Sequence, residues 1–296
     1  MTTPKNFGLI GAAGYVAPRH MQAINDTGNK LVAATDPFDS VGMIDRFAPE
    51  ASFFTEFERF DRHAEKLRRK GESERLHYVS ICSPNYLHDA HCRFALRIGA
   101  DAICEKPLVL NPWNVDALQE LEQETGQRIW NVLQLRLHPA VIALKERIEA
   151  ESSGKRHIVD LNYVTPRGKW YDVSWKADLA KSGGVASNIG IHFFDMLMWI
   201  FGDVQQSTVT RNEPRTISGE LSLEKADVSW HLSVNAEELP AGHAGAYRSL
   251  KLDGDSFDFS GGFTDLHTRV YEESLNGNGF SLDDVRPSIE LAERLR

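Results

Sequence analysis

Glu105, Lys106 and Pro107 follow a short apolar run, Ala102-Ile103-Cys104. A carboxylate, an amine and a turn-forming proline at the end of a strand-like segment can carry protons or hold a hydroxyl. In an open α/β sheet, ligands bind outside the carboxyl ends of the strands, where these residues would fall. The plainer reading is a Glu-Lys pair before a turn, because paired lysines are often only structural. His192 is a second candidate, and it shares a helix face with Asp195 three residues on. An imidazole needs little tuning to take a proton near neutrality, whereas a lysine must first have its pKa lowered a long way. Asp195 could orient that imidazole or serve structure alone. Two such ligands are too few for a metal site, so no metal is expected.

Chemistry of a different kind is written near the start. Gly11-Ala12-Ala13-Gly14-Tyr15-Val16-Ala17 joins an apolar strand-like run to a helical one. Ala12, Gly14 and Ala17 fit the G-x-G-x-x-A spacing with Ala in first place, and Gly11 adds freedom just before it. Small residues there let the backbone approach a pyrophosphate, whose charge the helix-start amides bind. Asp36 lies 22 residues beyond Gly14, at the end of the next strand-like run. A carboxylate there binds ribose hydroxyls and repels a 2′-phosphate, so the expected cofactor is NAD rather than NADP. Asp36-Pro37 also reads as a turn.

These residues need a frame. Strands are expected over residues 7–11, 30–36, 78–83, 102–105 and 128–133. Helices are expected between them, near 15–26, 86–98 and 114–125, with Gly28, Gly99 and Gly126 as stops. Strand-helix alternation with unbroken apolar strands implies a doubly wound parallel sheet, covered on both faces. Beyond about residue 155 the pattern alternates, over 158–164, 206–210, 217–223, 228–234 and 248–252. That implies antiparallel strands with one wet face, interrupted by an apolar helix over 189–201. The charged stretch 61–74 reads as a solvated helix and turn. The fold class expected is therefore α/β. Residues 1–133 form a dinucleotide-binding domain, with the final helix, 282–296, packing near it. Residues 134–281 form an α+β domain with a largely antiparallel open sheet.

Composition narrows the partners. The chain has 296 residues, is 42% hydrophobic and carries a net charge of −9. That balance argues against nucleic acid and anionic membranes and leaves room for a local pocket for a small anion. No apolar run approaches the ~20 residues of a membrane span. The polar start, Met1 to Asn6, does not read as a signal peptide, and the cytoplasm is the expected compartment. Cys82, Cys92 and Cys104 are odd in number and match no zinc spacing, so they read as reduced packing residues.

With these pieces in place the chain resembles the Gfo/Idh/MocA oxidoreductases over nearly its whole length. The marks are the Gly-Ala-Ala-Gly loop with His20 after it, Ser83-Pro84-Asn85 with His88, and Glu105-Lys106-Pro107. Gln134-Leu-Arg136, Trp175-Lys176, and Gly183-Gly184 leading to His192 and Asp195 follow. Within the family, Arg167-Gly-Lys-Trp-Tyr171, Ser174-Trp-Lys176 and residues 262–267 resemble UDP-N-acetylglucosaminuronate 3-dehydrogenases. The resemblance implies NAD-dependent oxidation of a sugar C3 hydroxyl in bacterial surface-polysaccharide synthesis, on a UDP-sugar acid. It also implies a homotetramer and, in some relatives, cofactor recycling by 2-oxoglutarate. The resemblance implies a final helix that family members often continue past the position where this sequence stops, Arg296.

The resemblance also assigns residues. Gly11 to Val16, Asp36, Ser83, Pro84, Asn85, His88, Glu105, Lys106, Gln134, Trp175 and Lys176 are expected on the cofactor side. His88 is expected to pack under the loop, and Gln134 and Arg136 to face the cleft. Lys106 and His192 are the catalytic pair, with His192 favoured as base and Lys106 holding the hydroxyl oxygen. Two departures stand out. Val185 replaces a third glycine, and Asn188 replaces an aspartate four residues before the histidine. An Asn side chain can orient a hydroxyl but cannot accept its proton. Arg167, Lys169, Lys176 and Lys181 lie among Trp170, Tyr171 and Trp175. Cations among aromatics suit a carboxylate, a diphosphate and a stacked base. Lys106, Arg136, Arg167, Tyr171, Asn188 and His192 are thus the expected substrate contacts. Packed aromatics with snorkelling cations are the alternative. Another sugar or inositol as substrate, or a regulator that keeps NAD binding without catalysis, are the rival functions.

Overall fold

The structure is a computed structural model that describes residues 3–151, 154–259, 261 and 265–296. In chain order it runs β1 (Asn6–Ile10), α1 (Ala17–Asp26), β2 (Lys30–Thr35), α2 (Met43–Phe47), β3 (Ser52–Phe54) and α3 (Phe57–Lys70). Next come β4 (Tyr78–Ile81), α4 (His88–Arg97), β5 (Asp101–Cys104), α5 (Pro112–Thr125) and β6 (Ile129–Asn131). Then follow α6 (Pro139–Ala150), β7 (His157–Val164), α7 (Leu179–Ser182) and α8 (Ile191–Phe201). The rest is β8 (Val204–Glu213), β9 (Thr216–Leu223), β10 (Ala226–Ser233), β11 (Tyr247–Leu252), β12 (Asp255–Ser256), α9 (Leu266–Leu275) and α10 (Leu282–Arg294). The chain divides into two compact units: residues 1–134 with 264–286, and residues 135–263 with 287–296.

Unit 1 holds a six-stranded sheet in the order β3-β2-β1-β4-β5-β6. Every pairing in it is parallel. The central strands are apolar and buried, as helices on both faces require: Phe7, Leu9, Val79, Ile81, Ala102 and Ile103. The strand order reverses between β1 and β4, so a crevice opens at their carboxyl ends. α5 begins on Pro112 and stops at Gly126, whose φ of 72° suits glycine. β3 was not legible, being three residues long. The stretch 61–74 proves more than a solvated face: α3 buries Phe60, Ala64 and Leu67 along one side. α9 is a further helix that no sequence signal announced, and it belongs to unit 1.

Unit 2 holds a second six-stranded sheet, β12-β11-β7-β10-β9-β8. It is antiparallel except where β7 runs parallel to β10. Val159 and Leu161 on β7, with Val228, Trp230 and Leu232 on β10, face a core shared with α6 and α8. Ile158, Asp160, Asp227 and Ser229 point the other way and are exposed. α6 was missed, although Val141, Leu144 and Ile148 carry helical spacing. The helical run Leu179–Phe201 is 23 residues long and apolar enough to cross a membrane. Most of it is buried, and Phe193, Phe194, Met196, Leu197, Ile200 and Phe201 belong to the unit 2 core. Burying each such side chain contributes roughly 1.5–3 kcal/mol, which is reason enough for its composition.

Candidate active site

The loop after β1 is built on two glycines. Gly11 has φ of 90° and donates its N–H to the Thr35 carbonyl at 2.8 Å. A Cβ there would lie 2.7 Å from the Cys82 carbonyl, so only glycine fits. Gly14 donates to the Gly11 carbonyl at 3.0 Å, and a Cβ on it would meet that oxygen at 3.0 Å. Ala12 is buried, whereas Tyr15 is 93% exposed. Asp36 ties the loop to β2. One carboxylate oxygen accepts from Ala13 N–H and the other from Phe38 N–H, both at 2.9 Å. A carboxylate has about four acceptor sites, so room remains for ribose hydroxyls. A glycine cradle at a helix start, with an acid at the tip of β2, fits a dinucleotide. Gln134 adds a buried side-chain oxygen with no hydrogen-bond partner among the described residues.

The turns after β4 and β5 are pinned by His88. Its Nε2 meets the Ser83 carbonyl at 2.8 Å and its Nδ1 the Pro107 carbonyl at 2.7 Å. Burial lowers its pKa, against the pull of those two carbonyls. His88 thus bridges the Ser83 and Pro107 turns, and the Ser83 turn is what Gly11 abuts. Ser83 Oγ also bonds Nδ1 of His91, whose pKa burial lowers to about 4. His91 is therefore neutral. Asn85 is buried, while Lys106 is partly exposed.

Beneath Lys106 lies a cluster that sequence reading did not assemble. Glu105 is 7% exposed, and its Oε1 is 3.1 Å from Nε2 of both His20 and His267. Its Oε2 accepts the Lys106 backbone N–H at 3.2 Å. His20 Nδ1 is 2.8 Å from the Tyr271 hydroxyl, which is 2.5 Å from Ser80 Oγ. Burial pushes Glu105 towards the neutral acid, but the hydrogen bonds from the two histidines prevail and hold its pKa well below the usual range. The three ligand-type atoms lie within 4.8 Å of one another, a separation a metal could also span. Hydrogen bonds link all five side chains, so we read the cluster as a polar network.

Unit 2 carries the remaining candidates. Residues 186–190 form a π-helical turn that leads into α8. Such turns are rare and frequently mark functional sites. Through the buried stretch from Val185 to Leu197, only Asn188 and His192 keep partial exposure. They stand four apart, on one stripe. Val185 has φ of −62° and ψ of −38°. The backbone there is already helical, so the missing third glycine costs nothing, whereas Gly183 and Gly184 need their φ of 75° and 68°. Asp195 accepts from Arg136 Nε and Nη2 at its two oxygens, at 3.0 and 2.7 Å. Arg136 is correspondingly engaged in a buried pair.

The cation-aromatic segment separates into two parts. Tyr171, expected against substrate, is 1% exposed and sits in the unit 2 core, with Arg215 over its ring at 5.3 Å. A ring packed on both sides cannot stack on a ligand. Trp170 is instead the accessible aromatic, at 51% exposed. Lys176 Nζ stands 3.8 Å over the Trp175 ring. Arg167 is partly exposed, and its carbonyl accepts from Arg215. Arg215 was not picked out from sequence, because nothing in its local spacing marks it. Of the stretch 262–267, residues 262–264 lie outside the described residues.

Comparison with known proteins now adds what geometry does not. Residues 5–132 match the oxidoreductase family, NAD-binding Rossmann fold, and residues 145–229 match that family's C-terminal alpha/beta domain. The WlbA (WbpB) dehydrogenase of Thermus thermophilus, solved with NAD and alpha-ketoglutarate, is 50% identical. That match covers 98% of this chain and 94% of the other, with a TM-score of 0.94. The same dehydrogenase solved with NAD and UDP-GlcNAcA gives 49% identity, the same coverage and a TM-score of 0.93. Inositol 2-dehydrogenase of Rhizobium meliloti is 26% identical over 67% of this chain and 55% of its own length. The chain thus spans about half the length of that curated relative. The protein belongs to the Gfo/Idh/MocA oxidoreductase family, and unit 1 carries the family's NAD-binding domain.

Proposed function

We propose that the protein is an NAD-dependent dehydrogenase that oxidises the C3 hydroxyl of a UDP-N-acetylglucosaminuronate-type sugar. The observation that carries this reading is the 49% identity, over 98% of the chain, to a dehydrogenase solved with NAD and UDP-GlcNAcA. The cofactor, when bound, accepts a hydride from the sugar carbon. The chain's own residues must then take the hydroxyl proton and hold the oxygen as it becomes a carbonyl. We assign proton acceptance to His192 and the oxygen contact to Lys106. Asn188, four residues before His192, can orient the sugar but cannot act as base. Gly11 to Val16, Asp36, Ser83, Pro84, Asn85, Glu105, Gln134, Trp175 and Lys176 are proposed around the cofactor, with Arg136 and Arg167 towards the substrate. Alpha-ketoglutarate, seen with the Thermus dehydrogenase, is a candidate acceptor for recycling the reduced cofactor. A homotetramer working in the cytoplasm, in polysaccharide-sugar synthesis, completes the reading.

The test is incubation with NAD and UDP-N-acetylglucosaminuronate, with and without 2-oxoglutarate, following reduced nicotinamide and product mass. A 3-keto sugar is the expected product. Consumption of 2-oxoglutarate without net reduction means recycling in place. Neither signal from folded, NAD-bound protein would overturn this substrate and turn attention to inositols and free sugars. Lys106→Ala should keep NAD affinity and lose about 100-fold or more in kcat; full activity would remove the lysine from the mechanism.

A further inference from the structure

The cluster under Lys106 draws on four separate elements. His20 comes from α1, the helix that the dinucleotide loop opens, and Ser80 from β4. Glu105 follows β5, and His267 and Tyr271 come from α9, more than 160 residues further along the chain. All five are buried. Burying a carboxylate is costly unless hydrogen bonds and charge offset the lost water.

The protons can be followed one at a time. Burial keeps His20 neutral, lowering its pKa against the opposing pull of Glu105. A neutral ring has one N–H, and Oε1 of an ionised Glu105 can only accept it. The proton therefore sits on Nε2, and the bare Nδ1 must accept from the Tyr271 hydroxyl. Burial raises the pKa of that phenol, so it keeps its proton to give. Its oxygen then accepts from Ser80. The chain Ser80 to Tyr271 to His20 to Glu105 runs in one direction, and His267 gives a second N–H to the same oxygen.

We infer that His20 and His267 are positioning residues: together they hold Glu105 as a fixed anion, so that its other oxygen clamps the Lys106 backbone N–H. The inference rests on the oxidoreductase reading and deepens it. Lys106 is the group proposed to touch the reacting hydroxyl, and its main chain hangs from Glu105 Oε2. The network also joins Lys106 to α1, and so to the helix whose amino end the loop presents to the cofactor. Other ionisable groups bear on Glu105: Cys82 and Cys104 beside it, Tyr271 from α9 and His88 from α4. Burial raises both thiols and the phenol, so they stay neutral, and burial lowers His88. The two imidazoles at hydrogen-bond distance are what distinguish this site.

The test is isotope-edited infrared titration of the Glu105 carboxylate in the full-length protein, with Glu105→Gln assigning the band. Wild type should show an ionised carboxylate throughout the neutral range. His267→Leu should move the titration upward and lower kcat by roughly 100-fold, the cost of a misplacement of about 1 Å at a reacting group. NAD affinity should stay close to wild type. His267→Gln, which puts an amide N–H in place of Nε2–H, should restore most of both readouts. If His267→Leu fails to fold, Tyr271→Phe removes the donor to His20 at little cost in volume and should move the titration the same way. An unmoved titration, or kcat within about two-fold of wild type, overturns the inference. The infrared readout needs no turnover, so failure of the substrate assignment remains distinguishable from failure of the network.

Discussion

Each unit buries a carboxylate, and each solves the problem of its charge differently. In unit 1, Glu105 is held by two imidazoles. In unit 2, Asp195 is held by the paired nitrogens of Arg136, with Trp199 about 6.0 Å from the guanidinium. A guanidinium is charged at every pH a folded protein meets, and its fork matches a carboxylate. An imidazole changes charge inside that range and donates from either nitrogen. The unit 2 pair is therefore a charge-paired brace, while the unit 1 carboxylate is held by hydrogen bonds from two imidazoles, of which His20 is kept neutral by burial. That difference suits their surroundings. Glu105 is next to the residue proposed to meet the reacting hydroxyl, and Asp195 lies on a helix that builds a core.

The largest effect should come from breaking the brace. Asp195→Ala removes the carboxylate that two nitrogens of the largely buried Arg136 guanidinium meet and should cost about 3–5 kcal/mol of unfolding free energy, measured by calorimetry or urea titration. Replacing both partners, Arg136→Leu with Asp195→Leu, should cost less than Asp195→Ala alone. A double variant as damaged as the single one would mean that packing, not charge, sets the penalty.

Acid sensitivity comes next. Burial lowers His91 from 6.5 to about 4, and lowers His20 and His88 as well. Between those two values the unfolded chain binds a proton at His91 that the folded chain refuses. Its contribution is full above pH 6.5 and lost as pH falls through the window towards 4. Glu105, depressed by its histidines, acts in the same direction. A tenfold difference in proton affinity between the folded and unfolded chain is worth about 1.4 kcal/mol, so the melting temperature should fall steadily below neutrality. His91→Gln should flatten that slope, and an unchanged slope would show that His91 does not carry it. Smaller still, Asp36→Ala should weaken NAD by about 10-fold, or ~1.4 kcal/mol, and relax discrimination against NADP, read by equilibrium binding of both. As a control, Glu149→Ala breaks an exposed ion pair with Lys145 and should leave stability and binding unchanged.

Much of this was readable before any fold was seen. Apolar runs broken at Gly28, Gly99 and Gly126 define the parallel sheet, because strands buried on both faces must be apolar throughout. Gly11 and Gly14 were legible because a turn packed this closely against neighbouring backbone admits few residue types. Glu105-Lys106-Pro107 and His192 carried their chemistry in their side chains. Spacing along a chain states which face a residue shares, but not what that face meets. Hence nothing local told that His267 and Tyr271 would close on Glu105, or that Asp195 would pair with Arg136. Tyr171 reads equally well as a stacking platform or a core ring, and only its packing decided for the core. Val185 breaks a glycine pattern harmlessly because its backbone is helical, which is a property of the folded turn. The sequence determined the elements and the chemically able groups, since both depend on local sterics and side-chain type; tertiary structure decided their partners, since burial and hydrogen bonding arise only when distant segments meet.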